Sequence, residues 1–526
     1  MRQQSSSMEA RETARSLGIS GPAPALLAIL AGILVYVLGT WRGIGLRPDS
    51  VIYLGFWDEG RQQAPLYTRM MDLGALGGAD RMVVAWWLNL ALLACNLVLV
   101  HAILARCSVR PLLSALALVA LVLLPQFAYV HQTVLSEPVS ILTLLATLAL
   151  LAGALREGGM ALVVAAGLMG AAAVLARFAS APLIGAGALA LLFYAPGTWR
   201  ERLLRAVVFA AIASVLFLGW MAWSRAAGGA GVDRELAFNG TPGREVFLGA
   251  LDTLSAYVLP SFLPGLVRRA AVAGMAALLV LLMTVLLPLR RGAIGRVEAA
   301  SEAGAATALA FMRPAMLFVS LYVPFVVLTL FIEHGLHVHA RYVLPVYVIL
   351  LMVTLVRFGR AGAEGSDWSM PARLLLAGLV AIVVLNGLRG TVATYQLMRE
   401  GNFYTSDLWA KSPVIGAAGN LDPGLRIYSN APVAIRLLAR RPAEFWPRHY
   451  DYRTGKAFPG QPFDAELAQV VAEVRAGKAV LVAVDQADWR PYMASEWEIV
   501  AALGLQPASR RKDGRIYAAP SLQVTP

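Results

Sequence analysis

Charge is scarce in this 526-residue chain: Asp, Glu, Lys and Arg make up 15% of it, against 58% hydrophobic residues, a balance that excludes a soluble multidomain protein. Cysteine is nearly absent. Cys95 and Cys107 lie in and just beyond one apolar segment and offer neither a disulfide framework nor a metal-ligand set. Lysine is confined to Lys411, Lys456, Lys478 and Lys512, so the net charge of +13 is carried almost wholly by arginine. Those arginines are spread among short polar segments rather than gathered on one face, which argues against a nucleic-acid partner. Also missing are an internal repeat, a glycine-rich loop of the P-loop or dinucleotide type, and any low-complexity tract beyond the polar first twenty residues.

What is present is apolar sequence in long blocks. Stretches of roughly 17 to 23 residues with few or no charges recur through residues 24–390, the length an α-helix needs to cross a hydrocarbon core of about 30 Å. They do not alternate every second residue, which excludes a transmembrane β-barrel. The expected spans are 24–40, 82–105, 111–128, 136–155, 159–177, 181–195, 203–223, 268–288, 313–332, 341–357 and 372–390, a polytopic α-helical membrane protein of about eleven transmembrane helices. The stretch 181–195 is short and opens at Pro182, as suits a tilted helix or one that does not cross fully. Arg2, Arg11 and Arg15 precede the first block, which is longer than a signal-peptide core and lacks a convincing small-residue cleavage site. It reads as an uncleaved signal anchor behind a cytoplasmic tail of residues 1–23.

Arginine in the short loops sets the orientation. With the N-terminus inside, the cytoplasmic turns hold Arg106 and Arg110, then Arg156, then Arg200, Arg202 and Arg205, then Arg290, Arg291 and Arg296, then Arg357 and Arg360, while the turns near 129–135 and 178–181 hold none. Residues 24–390 then form the membrane module, with outer loops 41–81 and 224–267, in a multi-pass protein of a bacterial inner membrane. Residues 391–526 have soluble composition. Leu425 to Tyr428 and Ala479 to Val484 read as short buried strands, and Ala465 to Val474 and Met493 to Leu503 as amphipathic helices, so this tail is expected to be a small periplasmic α/β domain docked on the membrane part.

In this topology the charges that are costly near lipid collect on the outer side. The first outer loop carries Asp49, Tyr53, Asp58 and Glu59; the next turn has His131 and then Ser136-Glu137-Pro138. Arg177 ends a helix, and a later turn runs Glu333-His334-Gly335-Leu336-His337-Val338-His339-Ala340-Arg341-Tyr342. Each has a plain structural role open to it. Asp49 suits an N-cap for a helix starting at Ser50, Glu137 a first-turn acid favoured by the helix dipole, and Arg177 and Arg341 snorkelling anchors. His334, His337 and His339 suit either a metal or, more simply, a wet turn near lipid phosphates. The coincidence of acids and arginines from separate outer turns points instead to one shared cavity.

The layout resembles the GT-C superfamily of integral-membrane glycosyltransferases, which includes protein mannosyltransferases and bacterial aminoarabinose transferases. The resemblance rests on an acid four residues before a tyrosine (Asp49, Tyr53), Ser136-Glu137 opening a helix, Arg177 closing one, Arg341-Tyr342-Val343-Leu344-Pro345 opening another, and Tyr428-Ser429-Asn430 in an outer soluble tail. Ser50 stands where such enzymes commonly carry a second acid, which leaves Asp58 or Glu59 as a rival for the acidic role. The resemblance implies a polyprenyl-phosphate sugar donor, an outer-face glycan, lipid or protein acceptor, and an inverting displacement. It implies Asp49 as base, with Tyr53, Asp58, Glu59, His131, Glu137, Arg177, His339, Arg341 and Tyr342 binding substrate; no cofactor is expected, and arginine stabilisation of the leaving phosphate makes a metal unnecessary. A secondary transporter or lipid flippase is the alternative, and a membrane anchor presenting the tail to a partner is a third; transporters, however, place polar groups near the midplane in related halves, and no half-repeat is evident here.

Overall fold

The computed structural model describes residues 22–57, 63–226, 242–260, 263–274, 299–332, 338–361, 370–451, 455–458, 460, 462–487 and 490–522. The membrane module is built from α1 (Ala23–Gly39), α2 (Ser50–Tyr53), α3 (Pro65–Gly74), α4 (Arg81–Arg106), α5 (Pro111–Val122), α6 (Pro125–His131), α7 (Glu137–Glu157), α8 (Met160–Ala176), α9 (Pro182–Tyr194), α10 (Trp199–Ala226), α11 (Arg244–Ser255), α12 (Ala299–Ile332), α13 (Ala340–Ala361) and α14 (Met370–Glu400). Among the described residues α4, α7, α10, α12 and α13 are each long and apolar enough to cross a membrane. α1, α8 and the segment Phe178–Tyr194 are apolar but shorter. The expected span 268–288 lies mostly outside the described residues; every other expected span falls on a helix.

One span differs from expectation. Residues 111–128 do not form a single helix: α5 and α6 meet at Leu123-Leu124 with a bend of 69°. Pro125 has no amide hydrogen to continue the ladder, so the backbone turns there. Helix α14 passes against this bend at Gly390, where a Cβ would stand 1.9 Å from the Leu123 carbonyl oxygen, so only glycine fits. Within residues 41–81 lie α2 and α3.

Packing inside the bundle follows from small residues. α7 lies along α8, α8 along α10, and α9 between α10 and α12. A Cβ on Gly187 would meet the Phe209 ring at 2.4 Å, so the missing side chain is what lets α9 close on α10. Close backbone approach of this kind supplies the van der Waals attraction that holds helices together in lipid, where burying apolar surface gains little.

The tail holds helices α15 (Pro413–Gly419), α16 (Phe463–Arg475) and α17 (Glu496–Leu503), with β1 (Arg426–Ser429), β2 (Glu444–Phe445), β3 (Ala479–Val484), β4 (Ser509–Arg511) and β5 (Gly514–Tyr517) in one sheet of order β2-β1-β3-β5-β4. β1 runs parallel to β2 and β3, and β5 antiparallel to β3 and β4. Every residue of the central strand β3 is buried, on alternating sides. Ala479, Leu481 and Ala483 face a core with Val470, Val474 and Ile499 of α16 and α17. Val480, Val482 and Val484 belong to a core that also contains Ile44, Leu46, Val51, Leu54, Tyr67 and Met71 of the first outer loop. Loop and tail therefore share one hydrophobic core.

Candidate functional site

Four side chains from four elements meet at one end of the bundle. Asp49 immediately precedes α2, Glu137 opens α7, Arg177 follows α8, and Arg341 is in the first turn of α13. Arg177 donates to Glu137, Arg341 donates to Asp49, and the Arg341 Nε lies 3.7 Å from Glu137 Oε1. Arg341 thus bridges both carboxylates. The Tyr342 ring lies 4.9 Å from the Arg177 guanidinium carbon and 5.8 Å from that of Arg341, with the exposed His339 ring stacked against it.

The local structure explains how each group is held. Helix α2 does begin at Ser50, but Asp49 makes no side-chain cap; its carboxylate goes to Arg341 instead, which corrects the capping role. Ser50 anchors the turn by accepting from the Arg47 amide and donating to the Val134 carbonyl. Tyr53 donates to Ser136 Oγ at 3.0 Å, and behind it Tyr67 reaches Asn89, whose amide donates to the carbonyls of His131 and Thr133. On the far side, Tyr322 donates to the Tyr342 carbonyl at 2.9 Å and Tyr257 to that of Ala340 at 2.6 Å, clasping the backbone on either side of Arg341. Sequence reading missed Tyr67, Asn89, Tyr257 and Tyr322, for which spacing carries no signal.

The first-loop electrostatics follow from this geometry. Burial opposes ionisation of the Asp49 carboxyl, but the Arg341 charge and hydrogen bond, with Arg177 and His339 behind them, outweigh it and hold the group below its usual range. Burial, then the nearby Asp49 and Glu137 charges, push the Tyr53 phenol up, so it stays a donor.

Asp49, Glu137, Arg177, Arg341, Tyr342 and His339 are brought together, with Tyr53 beneath them. Asp58, Glu59, Glu333, His334 and His337 lie outside the described residues. His131 is elsewhere engaged. It is 1% exposed, with Nδ1 at 2.9 Å from the Phe127 carbonyl and Nε2 at 3.2 Å from the Asn96 amide. Both ring nitrogens have partners within the protein.

No protein-family model and no curated protein matches the sequence. Among solved structures, ArnT from Cupriavidus metallidurans bound to undecaprenyl phosphate aligns with a TM-score of 0.55 at 13% identity, over 94% of this chain and 99% of that one. The arabinofuranosyltransferase AftD from Mycobacteria aligns with a TM-score of 0.50 at 14% identity, over 95% of this chain and 40% of that one. The likeness is one of fold: this chain, an apolar helical module with a small C-terminal sheet domain, aligns with these structures over nearly its whole length.

Proposed function

We propose that the protein is a GT-C glycosyltransferase that moves a sugar from a polyprenyl-phosphate donor to the hydroxyl of a glycan, lipid or protein at the outer face of a bacterial inner membrane. The observation that carries this reading is the meeting of Asp49, Glu137, Arg177 and Arg341 at the helix ends on one side of the bundle. It is supported by the fold shared with ArnT, whose structure holds undecaprenyl phosphate. A transporter would instead place such groups near the midplane on interrupted helices. The N-terminus is cytoplasmic and the tail, residues 391–526, periplasmic, as the arginine bias requires.

The chemistry follows from the charges. The acceptor oxygen attacks the anomeric carbon from the face opposite the phosphate; the bond from that carbon to the phosphate oxygen breaks, its electron pair leaves with the carrier phosphate, and the acceptor proton passes to Asp49, inverting the centre. Arg341 and Arg177 stabilise the departing phosphate, for which the planar guanidinium fork is suited. In the unliganded protein Arg341 lowers the basicity of Asp49. A phosphate that takes over Arg341 frees the carboxylate, so donor binding itself prepares the base.

The test is incubation of the purified protein with synthetic polyprenyl-phosphate sugars, scored for free polyprenyl phosphate. Release that depends on an acceptor and on Asp49 is expected. Failure with every donor, alongside substrate movement across liposomes, returns the protein to the transporter class.

A further inference from the structure

Arg47 stands apart from the other cations of the site. It lies two residues before Asp49, and its guanidinium carbon is 5.2 Å from the centre of the Tyr129 ring and 4.2 Å from that of Phe403. Among the described residues no carboxylate pairs with it, and its Nε is buried without a hydrogen-bond partner. Phe403 has a φ of 51°, a left-handed conformation that a bulky residue adopts only where its surroundings hold it. Its backbone is bridged to Leu46, next to Arg47. The chain thus accepts local strain to set this ring against the guanidinium. Tyr129, the other ring, feels the charges of Arg47, Arg341, Glu137 and Asp49, the last three of them members of the cluster.

The cluster is neutral by itself, since Asp49 and Glu137 offset Arg177 and Arg341. A sugar-linked carrier phosphate brings negative charge, and once released as a monoester it carries about −1.5 to −2 at neutral pH. A neutral cluster does not balance that charge. Arg47 has no carboxylate to neutralise it among the described residues, and the two rings restrict its rotamers, so less order is lost when an anion binds.

We propose that Arg47 is a binding residue for the phosphate of the polyprenyl carrier, supplying the positive charge that the paired cluster lacks. This rests on the glycosyltransferase reading above and extends it to a residue outside the paired cluster. The other rim cation, His339, has a neutral form and is exposed, and so does not replace a permanent charge.

The experiment measures binding of undecaprenyl phosphate, undecaprenol and inorganic phosphate to the purified full-length protein and to the variants Arg47→Gln and Arg47→Lys. Loss of one charge-assisted contact predicts a Kd for undecaprenyl phosphate raised about ten-fold or more in Arg47→Gln and by less in Arg47→Lys, with undecaprenol binding unchanged in both. The Lys variant keeps the charge and the long stem, so it guards against loss through misfolding. An unchanged Kd for undecaprenyl phosphate in Arg47→Gln overturns the proposal. So does a variant that loses inorganic phosphate but keeps the lipid, because the site then serves free phosphate. If the wild-type protein binds undecaprenol and undecaprenyl phosphate alike, the glycosyltransferase reading falls, and this proposal with it; a defect confined to the variants bears on Arg47 alone.

Discussion

Glu137 and Asp49 each face an arginine across one site, yet their surroundings differ. Glu137 is 3% exposed and its partner Arg177 14%, whereas Asp49 is 33% exposed and Arg341 25%. The first pair is buried between helix ends; the second, more exposed, joins the loop before α2 to the start of α13. A buried pair has lost most of its water and is held by its own attraction, so Arg177 meets a phosphate only with Glu137 still attached. A rim pair keeps some water, and a phosphate can take one partner from it. Arg341 connects the halves, because its Nε stays near Glu137 when its other nitrogens turn from Asp49 to a ligand. One half holds the arginines in place; the other exchanges.

Breaking the deep half is expected to have the largest effect. Glu137→Gln keeps the shape but leaves the Arg177 charge buried and uncompensated, which costs about 3–5 kcal/mol in comparable pairs. The thermal midpoint in detergent should fall by several degrees and transfer should vanish. A variant with wild-type thermal stability would mean that the deep pair does not hold the site together.

The rim half should behave in the opposite way. Asp49→Asn removes the proton acceptor from a pair that is partly solvated, so stability should change by about 1 kcal/mol or less while turnover drops roughly 10²–10⁴-fold. Donor affinity should hold or tighten, because Arg341 is no longer neutralised. Arg341→Ala should lose both turnover and donor affinity, and Arg341→Lys should recover only part, since the bidentate fork is gone. Asp58→Asn and Glu59→Gln are the comparison: if Asp49→Asn turns over normally while one of them is inactive, the base role moves to that residue.

The sequence made the two halves unequally legible. Glu137 and Arg177 stand out because a charge at the end of an apolar helix needs a reason, and the helix ends are set by the length of the apolar runs. Strands β1 and β3 were legible from short apolar runs between turn residues. The bend at Leu123-Leu124 was hidden because Pro125 sits inside an unbroken apolar stretch, and the backbone contact with Gly390 that accompanies it is far off in sequence. The burial of His131 was not legible, because a histidine near an expected outer turn looks wet until Asn96 and the Phe127 carbonyl enclose it. The isolation of Arg47 depends on Phe403, which only the docking of the tail brings near.

That docking offers a smaller test of the comparison. Arg436 in the tail donates to the Phe56 carbonyl at 2.9 Å and stacks over Trp57 at 4.1 Å, and Trp57 also meets Phe445. These contacts hold the loop that carries Asp49 and do not touch the Glu137 pair. Arg436→Ala should therefore cost about 1–2 kcal/mol locally, reduce turnover several-fold, and speed hydrogen exchange at residues 49–57 while leaving 137–141 unchanged. Equal acceleration in both segments would show that the halves are one cooperative unit.

The finest test is a pH profile. Burial alone would raise the Asp49 pKa, but Arg341 and the charges behind it hold it below the usual range. For a group depressed in this way, the stabilising contribution is complete above the unfolded value of about 3.9 and is lost as pH falls through the lower folded value. In the free enzyme Asp49 is thus ionised across the neutral and mildly acid range, and its acid limb in kcat/KM lies at low pH. Once donor phosphate draws Arg341 away, the lowering influence weakens while burial remains, so the carboxyl must titrate at higher pH in the complex. The acid limb of kcat should then lie above that of kcat/KM, since the two report the bound and the free enzyme. Coincident limbs would mean that Arg341 never leaves Asp49, and the rim pair would then be as fixed as the deep one.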